Sequence, residues 1–589
     1  MREYTNTKIN ARGCPLKIIT GVIFFVVIFC FFPCKWIYSL PPQKLLHPED
    51  WSYEAISILS REQGRVFFTD SRITVTQMRN HLAEIDVNSL SASGLVIYDR
   101  LDKYLNSTPL LNFQTGFVNL NLDVQLQLET YLKSNENIPW IYNDHARHPV
   151  LKLPMGFSLR HWLTTELDIY FGENPRAATF HNNNSNIPSS LFDVDIHIPK
   201  RGYLSLGLPV GRASGAHLAI GMGDNFFGRT ETGSIIISEY LKRTIYGQAT
   251  IYSPAFKWTA EVMQYEVNKY SYMHYIQIRP HRSISISLAE GVMVNAPLEL
   301  RFLNPATIFH SHEAYKTYTR YNEEMGYDKN NAGDPWGDGN SSVYEPTGMS
   351  RIGSYFGVKL EWQPVRYLRL YGLFAMTQFQ LPVEKNNWQD SLTPDALAFQ
   401  AGFNLSIPVS NGYLDFAMEG VYTYPYMYVL WDKDWSFFKE VHEVDNMTLR
   451  YWTGTPFGPD TIAGAFRAGF RSSTNWFAGL SFVFSAQGER SSFDIFDHDS
   501  SIDDTYRPTN NVFNMTISPT GVPIYTFTIT LLGEYYPLEW LGFALQPGYR
   551  LMINAKHQAD RVEHGFELVF TATYKPKFHI IKSRQKNDR

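Results

Sequence analysis

Long stretches of the chain alternate apolar and polar residues. The clearest runs from Val118 to Glu129, where every second residue is Val or Leu and the residues between are Asn, Asp, Gln or Glu. Alternation over this length matches a tilted strand that crosses a membrane, with one face toward lipid and the other toward a wet lumen. The run therefore predicts a membrane-spanning β-strand.

Shorter rows of the same kind recur along the chain. They cover residues 203–207, 233–238, 276–287, 354–361, 399–407, 413–418, 463–470, 476–484, 524–532 and 566–574. Short turns alternate with long polar connections such as 172–190, 303–350, 428–460 and 488–511. Outer-membrane barrels segregate their loops in this way, whereas a soluble sandwich has no reason to do so. Residues 111–578 are predicted to form an all-β transmembrane outer-membrane β-barrel, and the number of rows indicates about 16 to 20 antiparallel strands.

A repeated corner supports this prediction. "EWQPVRYLRLYG" begins at Glu361 and "EYYPLEWLGFAL" begins at Glu534; each places a proline between aromatic residues and continues into a period-two apolar row. Proline cannot donate to a sheet ladder, so each copy is predicted to be a hairpin corner. In a barrel its rings would lie at the level of the lipid headgroups. An ordinary hairpin of a soluble sandwich is the alternative.

Residues 1–40 read as a secretory signal peptide. Four basic residues precede an apolar run from Ile18 to Phe32, and Pro33 follows it. An uncleaved anchor is the alternative. The cysteines Cys14, Cys30 and Cys34 all lie in this segment, so the mature chain is predicted to contain no disulfide, thiolate metal site or cysteine nucleophile.

Residues 41–110 carry helical rather than alternating patterns. Asp50, Thr74 and Ser91 are predicted N-caps, each followed by apolar residues at helical spacing. They predict a small α-helical module, placed in the periplasm because it follows the signal peptide and precedes the first strand. Residues 579–589 form a basic tail. The formal net charge of -5 and the lack of another basic cluster argue against a nucleic-acid partner.

The long connection after residue 303 is rich in aromatic residues. Aromatic rings stack on sugar rings, and carboxylates bond their hydroxyls. The segment therefore offers a candidate polysaccharide-binding site; the alternative is that it folds back and plugs the lumen. The candidate residues are Tyr315, Tyr318, Tyr321, Tyr327, Asp334, Trp336 and Asp338.

No arrangement of residues predicts an enzyme. The "HSH" of residues 310–312 and the acidic, glycine-rich residues 328–340 resemble metal-binding stretches, but both read more simply as polar loops. The glycines of residues 221–228 are followed by no helical pattern, so they do not form a dinucleotide site. We expect no catalytic residue, metal or cofactor.

One region resembles a known family. "LSLGLPVG", "GMGDNFFGRTETGSIIISEY", "AFKWTAEVMQYE" and "ISISLAEGVMVNAPLELRFLNPATIFH" are similar, in this order, to strands of the Wzi-like capsule-assembly outer-membrane proteins. The residues that match the family pattern are Gly228, Ser238, Glu290, Asn304 and Pro305. The chain departs from the family's Trp-Gly-Pro-Gly segment, because it has Phe227, Gly228, Arg229 and Thr230. The resemblance implies an 18-strand barrel with a periplasmic helical bundle that holds polysaccharide at the cell surface.

Two functions are open at this stage. The favoured one is a non-catalytic surface protein of the bacterial outer membrane that binds or organises capsular or extracellular polysaccharide; the other is a porin or solute channel. Outer-membrane lipid is the expected surrounding of either. Gly565, Leu568 and Phe570 also resemble the C-terminal signal read by barrel-assembly machinery, which predicts that machinery as a partner during biogenesis.

Overall fold

The structure is a computed structural model. It describes residues 40–107, 109–115, 117–139, 141, 147–173, 183–190, 193–195, 201–211, 213–295, 297–304, 307–309, 352–379, 383, 394–430, 433, 436–442, 448–491, 493 and 517–576. The predicted signal peptide, apart from Leu40, and the basic tail lie outside these residues.

Three α-helices begin the described chain. They are α1 (Trp51–Gln63), α2 (Val75–Ala83) and α3 (Ala92–Leu105). The side chains of Asp50, Thr74 and Ser91 accept backbone N–H groups of the first turns, as the sequence predicts. Thr74 forms a reciprocal capping box with Gln77. Among the described helices, none has both the length and the apolar stretch that crossing a membrane would take.

In the described part of the chain, twenty-three strands follow the helices. In chain order they are β1 (Leu111–Thr115), β2 (Val118–Leu122), β3 (Gln125–Lys133), β4 (Leu151–Leu159), β5 (Leu163–Glu173), β6 (Val194–Asp195), β7 (Arg201–Val210), β8 (Ser214–Gly223), β9 (Thr244–Tyr252), β10 (Phe256–Glu266), β11 (Lys269–His281), β12 (Ile284–Asn295), β13 (Ile352–Val365), β14 (Leu368–Gln378), β15 (Ala396–Val409), β16 (Gly412–Thr423), β17 (Phe438–His442), β18 (Thr448–Trp452), β19 (Thr461–Ser472), β20 (Trp476–Gln487), β21 (Ile524–Leu538), β22 (Leu541–Ile553) and β23 (Val562–Tyr574).

The strands close into a barrel. Each wall strand pairs antiparallel with the next, and β23 pairs with β3 to close the circle. With β2 and β3 counted as one wall strand, and with β1, β6, β17 and β18 set aside, the wall has 18 antiparallel strands. The predicted fold class is confirmed.

The first alternating row is interrupted, contrary to the prediction of one unbroken strand. β2 and β3 keep a single register against β4, but Asp123 and Val124 between them leave the ladder. Pro154 on β4 lies opposite this break and has no N–H to give, so the only bond there runs from the Asp123 N–H to the Pro154 carbonyl at 2.9 Å. The Asp123 carboxylate accepts the Leu110 N–H at 2.7 Å.

Both predicted corners are hairpins. β13 turns into β14 and β21 turns into β22 at these places, and the register of each pair shifts around Pro364 and Pro537, respectively. A proline that breaks the ladder thus lies at a bulge. Large aromatic side chains are exposed on the outside at this end of the barrel, as in an interfacial girdle: Trp162, Phe256, Trp362, Trp476, Tyr535, Trp540 and Tyr574.

The helices lie at the end of the barrel that carries the tight turns, which we call the tight-turn end. The Val66 N–H donates to the Arg282 carbonyl at 2.8 Å, and the Tyr367 N–H donates to the Arg61 carbonyl at 2.6 Å; Arg282 and Tyr367 belong to two of the turns. Nearly all long connections lie at the opposite end, where only β10 and β11 are joined by a short turn.

A half-buried histidine of α2 packs against the loop that joins α1 and α2. The His81 ring packs at 5.0 Å from the Phe67 ring, and its Nε2 lies 3.3 Å from the Phe68 carbonyl oxygen. Burial lowers the pKa of His81 to about 3, and the wall cations Lys257 and Arg279 act in the same direction. The folded protein therefore binds fewer protons at His81 than the unfolded chain does below about pH 6.5.

Substitutions on adjacent residues of β21 should separate the two faces of the wall. Leu531 is exposed on the outside, whereas Thr530 faces the lumen. Leu531→Arg should cost about 2 to 4 kcal/mol, because it places a charge in lipid. Thr530→Arg should cost much less. The measurement is the denaturant midpoint of the barrel refolded in lipid vesicles; equal losses from the two variants would contradict the assigned faces.

The packing of α2 should weaken in acid. His81 has a lower pKa in the folded protein than its ordinary 6.5, so its contribution to stability is complete above about pH 6.5 and is lost as the pH falls toward 3. Hydrogen exchange of α2 in the full barrel should rise between pH 7 and pH 4, after correction for the intrinsic pH dependence of exchange. His81→Gln should reduce this rise, whereas His281→Gln, at an exposed turn, should retain it. An unchanged rise in His81→Gln would exclude His81 as its source.

Candidate functional site

The connection between β8 and β9, residues 224–243, enters the lumen, and we call it the plug segment. Its apolar side chains Phe226, Phe227, Ile235, Ile236, Ile237 and Leu241 are all buried. The prediction of a wall strand over residues 233–238 is wrong. Three consecutive isoleucines suit a segment that is enclosed on every side, whereas a wall strand would alternate.

Aromatic residues of the wall and of a neighbouring connection hold the plug segment. The Phe227 ring stacks on Tyr275 of β11 at 4.5 Å. The hydroxyls of Tyr355, on β13, and Tyr428, in the connection after β16, each donate to the Ile235 carbonyl at 2.7 Å. A carbonyl without its own ladder partner is therefore satisfied twice, which fixes the height of the segment in the lumen.

A buried carboxylate of the wall binds the other half of the plug segment. Glu419 on β16 accepts the backbone N–H groups of Glu231 and Thr232 at 2.9 and 3.0 Å. It also accepts Gln400 at 2.9 Å and the Tyr371 hydroxyl at 2.5 Å. Charge-assisted bonds of this kind are stronger than neutral ones, so Glu419 is a central anchor of the plug segment.

The loop between α1 and α2 meets the plug segment and the wall at one acid. The Asp70 carboxylate accepts the Gly228 N–H at 3.1 Å and the Gln277 amide at 2.9 Å, and it pairs with the Lys359 ammonium. Lys257 donates to the Asp70 carbonyl at 2.8 Å. Helical module, plug segment and wall thus converge on Asp70.

A second ion pair lies close to the first. Arg72 donates to Glu261 of β10 at 2.5 Å, and its guanidinium lies 3.3 Å from the centre of the Tyr246 ring. Asn225 of the plug segment donates to the same carboxylate at 2.7 Å. Both sides of Glu261 are therefore occupied, one by the module and one by the plug segment.

A polar cavity of about 290 Å³ remains between α1, the plug segment and the wall. Arg369 donates to Glu361 at 2.7 Å, and Arg467 donates to Glu231 at 2.9 Å. The Arg229 guanidinium lies 5.1 Å from the centre of the Tyr53 ring. Ion pairs therefore line this cavity, and the pair of Arg467 and Glu231 connects the wall to the plug segment. Among the described residues, no cluster of three or more His, Cys, Asp or Glu side chains is placed to hold a metal ion.

Two family-motif residues lie in the plug segment. Gly228 has φ of +86°, and a Cβ there would lie 2.9 Å from the Leu373 side chain, so both backbone and space require glycine. Ser238 is fully buried; its N–H donates to the Thr453 carbonyl at 2.9 Å, and its hydroxyl accepts the Tyr240 N–H. Sequence reasoning placed Ser238 at the end of a wall strand, whereas it makes a turn inside the lumen.

Of the other predicted site residues, the structure describes Glu290 and Asn304. Glu290 is opposite His274 on the outer face of the wall, and Asn304 belongs to the segment that packs there. Pro305 lies outside the described residues, as does the whole predicted polysaccharide-binding set of Tyr315, Tyr318, Tyr321, Tyr327, Asp334, Trp336 and Asp338. That set stays a prediction.

The sequence analysis did not predict the ion pairs that connect the helical module, the plug segment and the wall. Lys257, Glu261, Lys359, Glu361 and Arg369 all occur in strands at positions whose neighbours are apolar or aromatic. Charges at every second position of a wall strand mark the lumen face, and several such residues imply buried partners. That signal was available from the pattern, but the partners of Lys257, Glu261 and Lys359 in residues 70–72 were not.

Part of the lumen is lined less tightly. On β21 and β23 the lumen-facing Thr526, Thr530, Thr571 and Thr573 are only half-buried. The plug segment and the helices pack instead against the wall on the side of β8 to β16. The barrel thus has a packed side and a more open, polar side.

No protein-family profile matches the chain, and no curated protein matches its sequence. Solved structures do. Wzi of Escherichia coli, an outer-membrane protein involved in group 1 capsule assembly and a carbohydrate-binding β-barrel, is 10% identical with a TM-score of 0.52 over 91% of this chain and 100% of that chain.

Other barrels are more distant. OprD of Pseudomonas aeruginosa is 9% identical with a TM-score of 0.37, over 77% of this chain and 95% of that one. OmpT of Vibrio cholerae is 9% identical with a TM-score of 0.28, over 79% and 99%. Residues 111–576 amount to less than 91% of the chain, so the match with Wzi extends beyond the barrel and its loops. The chain has the fold of an outer-membrane β-barrel and is similar in architecture to Wzi.

Proposed function

We propose that this chain is an outer-membrane barrel that holds an extracellular polysaccharide at the end formed by its long connections and does not act as an open pore. The observation that carries the proposal is the occupied lumen. The plug segment and the loop around Asp70 fill the side of the barrel between β8 and β16, and buried polar groups hold them there.

The energetics favour a fixed plug over a moving gate. Asp70 and Lys359 are both almost fully buried, as are Arg72 and Glu261. Removing one partner of a buried pair leaves an uncompensated charge and costs about 3 to 5 kcal/mol. Withdrawal of the loop around Asp70 would break both pairs, and withdrawal of the plug segment would remove one hydrogen bond from each, those from Gly228 to Asp70 and from Asn225 to Glu261. A static scaffold therefore fits this interior better than a channel that opens and closes.

The long connections provide the surface for a polymer. They gather at one end of the barrel, and the connection after residue 303 carries the aromatic and acidic residues that would stack on and bond to sugars. The carbohydrate-binding barrel Wzi shares this architecture. We accordingly propose a Wzi-like role, with polysaccharide as the ligand and aromatic side chains such as Trp336 as the binding groups.

The orientation follows from the order of the chain. The helices come after a predicted signal peptide and before the first strand, so we place the tight-turn end in the periplasm and the long connections outside the cell. Outer-membrane lipid surrounds the wall, and barrel-assembly machinery inserts it. No nucleic acid has a part in this proposal.

A solute channel is the second candidate. The half-buried threonines on β21 and β23 favour it, because a water-filled path needs a polar lining of this kind. The two candidates differ in what the filled side of the lumen does. In the scaffold it blocks conduction, whereas in a channel it narrows a path that conducts steadily beside it.

Weakening the contacts that Asp70 makes with the plug segment and the wall should raise the ion conductance of the barrel. Asp70→Asn keeps the shape of the side chain but removes the charge that faces Lys359, so the plug segment and module should loosen. In planar bilayers the wild-type protein should pass little current, and the variant should show larger and noisier openings.

The matched control is Asp99→Asn, an exposed acid on α3. It should behave as wild type. Both variants should retain the heat-modifiable folded band in SDS gels. A wild-type barrel that conducts steadily, with no change in Asp70→Asn, would favour the channel.

Loss of one loop aromatic should weaken polysaccharide binding. Trp336→Ala should lower the retention of purified capsular polysaccharide by the refolded barrel about tenfold, the equivalent of roughly 1.4 kcal/mol for one lost stacking surface. Trp540→Ala, at the opposite end of the barrel, is the matched control and should bind as wild type. Equal retention by all three proteins would remove Trp336 from the site; no retention by the wild type would overturn the proposed ligand.

A further inference from the structure

One segment packs on the outside of the barrel. Residues 297–304 and 307–309, which we call the outer flap, follow β12 and lie against the outer face of β11 and β12. The outer face is identified by Ile276 and Ile278 on β11 and by the opposite Leu288 and Ile286 on β12, whose side chains are all exposed. Further along the same rows come His274 and Tyr272 on β11.

Ring contacts fix the outer flap to the wall. The Phe302 ring lies 5.0 Å from Tyr272, and the Phe309 ring stacks on His274 at 4.5 Å. The Glu299 N–H donates to the Tyr272 hydroxyl at 3.3 Å, and the backbone of Thr307 forms a hydrogen bond with His274. Tyr272, Phe302 and Phe309 are at most 3% exposed, so this is a packed interface rather than a loose loop.

A polar pair lies beneath the outer flap. His274 and Glu290 are direct cross-strand neighbours on the outer face. A charged group on the lipid side of a barrel costs up to about 2 to 4 kcal/mol near the midplane. The outer flap leaves His274 only 8% exposed and Glu290 partly buried, so it shields this pair from much of the contact with acyl chains.

The far side of the outer flap is apolar. Its outward residues are largely exposed: Leu298 by 51%, Leu300 by 80%, Leu303 by 40% and Ile308 by 63%. An exposed cluster of four aliphatic side chains is unfavourable in water. This apolar cluster is continuous with the exposed side chains on the neighbouring wall, which lie nearer the tight-turn end: Ile276, Ile278, Ile286 and Leu288.

The height of the outer flap matches the membrane. His274 is seven residues from His281 at the tight-turn end of β11. At about 3.3 Å per residue and a tilt of about 40°, this separation is roughly 18 Å along the barrel axis. The apolar band of a barrel is about 25 Å tall. The outer flap therefore covers the part of the apolar band that is farthest from the tight-turn end.

We propose that the outer flap is embedded in the lipid layer, in the half nearest the long connections, and replaces the wall as the lipid-contacting surface over β11 and β12. Its partner is the upper part of the acyl chains, just below the headgroups. Leu298, Leu300, Leu303 and Ile308 face lipid, while Phe302 and Phe309 shield the His274 and Glu290 pair from much of it. The proposal does not depend on the polysaccharide.

Depth-dependent quenching tests the proposal. In the full chain, Cys14, Cys30 and Cys34 are replaced by serine, and a fluorophore is attached to a single cysteine at Leu300→Cys. The refolded barrel is reconstituted in phosphatidylcholine vesicles whose acyl chains carry bromine at a shallow or a deep position. Matched probes are Ile276→Cys, on the wall below the outer flap, and Ala559→Cys, in the exposed connection between β22 and β23.

The probe at residue 300 should be quenched most by shallow bromines, the one at 276 by deep bromines, and the one at 559 by neither. A residue-300 probe that behaves like the one at 559 would overturn the proposal, because the outer flap would then face water. Cross-linking of the unlabelled Leu300→Cys barrel to a second barrel by a bifunctional maleimide would also overturn it, since another copy would then cover the surface.

Discussion

The structure depends on the two-residue period of its wall strands. Each residue faces either lipid or lumen, and a charge on the lumen side must find a partner inside the barrel. Glu261 and Lys359 are such charges, and they pair with Arg72 and Asp70 of the loop between α1 and α2. Lys257 donates to the Asp70 carbonyl, and Glu361 pairs with Lys359 and Arg369 of the wall. The packed interior follows from this constraint: the helices and the plug segment complete a polar lining that the wall alone leaves unpaired.

The same period explains what the sequence could predict. Alternation and the two proline corners identified an outer-membrane barrel of about the right strand number. The prediction failed at residues 233–238, where three consecutive isoleucines interrupt the alternation and belong to an enclosed lumen segment. The prediction also overlooked the break at Asp123, which depends on a proline in the neighbouring strand rather than on the row itself.

The candidate site was less predictable for a different reason. Its key contacts join residues that are far apart in the chain, such as Asp70 with Lys359 and Thr232 with Glu419. No local sequence pattern predicts contacts between residues that are so far apart in the chain. Glycine at position 228 was recognised through a short motif, but its physical reason, a left-handed backbone against Leu373, depends on how three parts of the chain meet. Likewise, Glu290 was recognised as part of a motif, whereas its place beneath an external segment was not.

The way the barrel closes couples the helices to the wall mechanically. The seam joins residues 126–133 of β3 to 567–574 of β23, and the remaining edge of β2 is covered by β1, which begins six residues after the end of α3. The tether of the helices is therefore itself a strand of the sheet. A force that pulled the helices away from the barrel would first have to peel β1 from β2, and that would expose an edge of the sheet beside the seam.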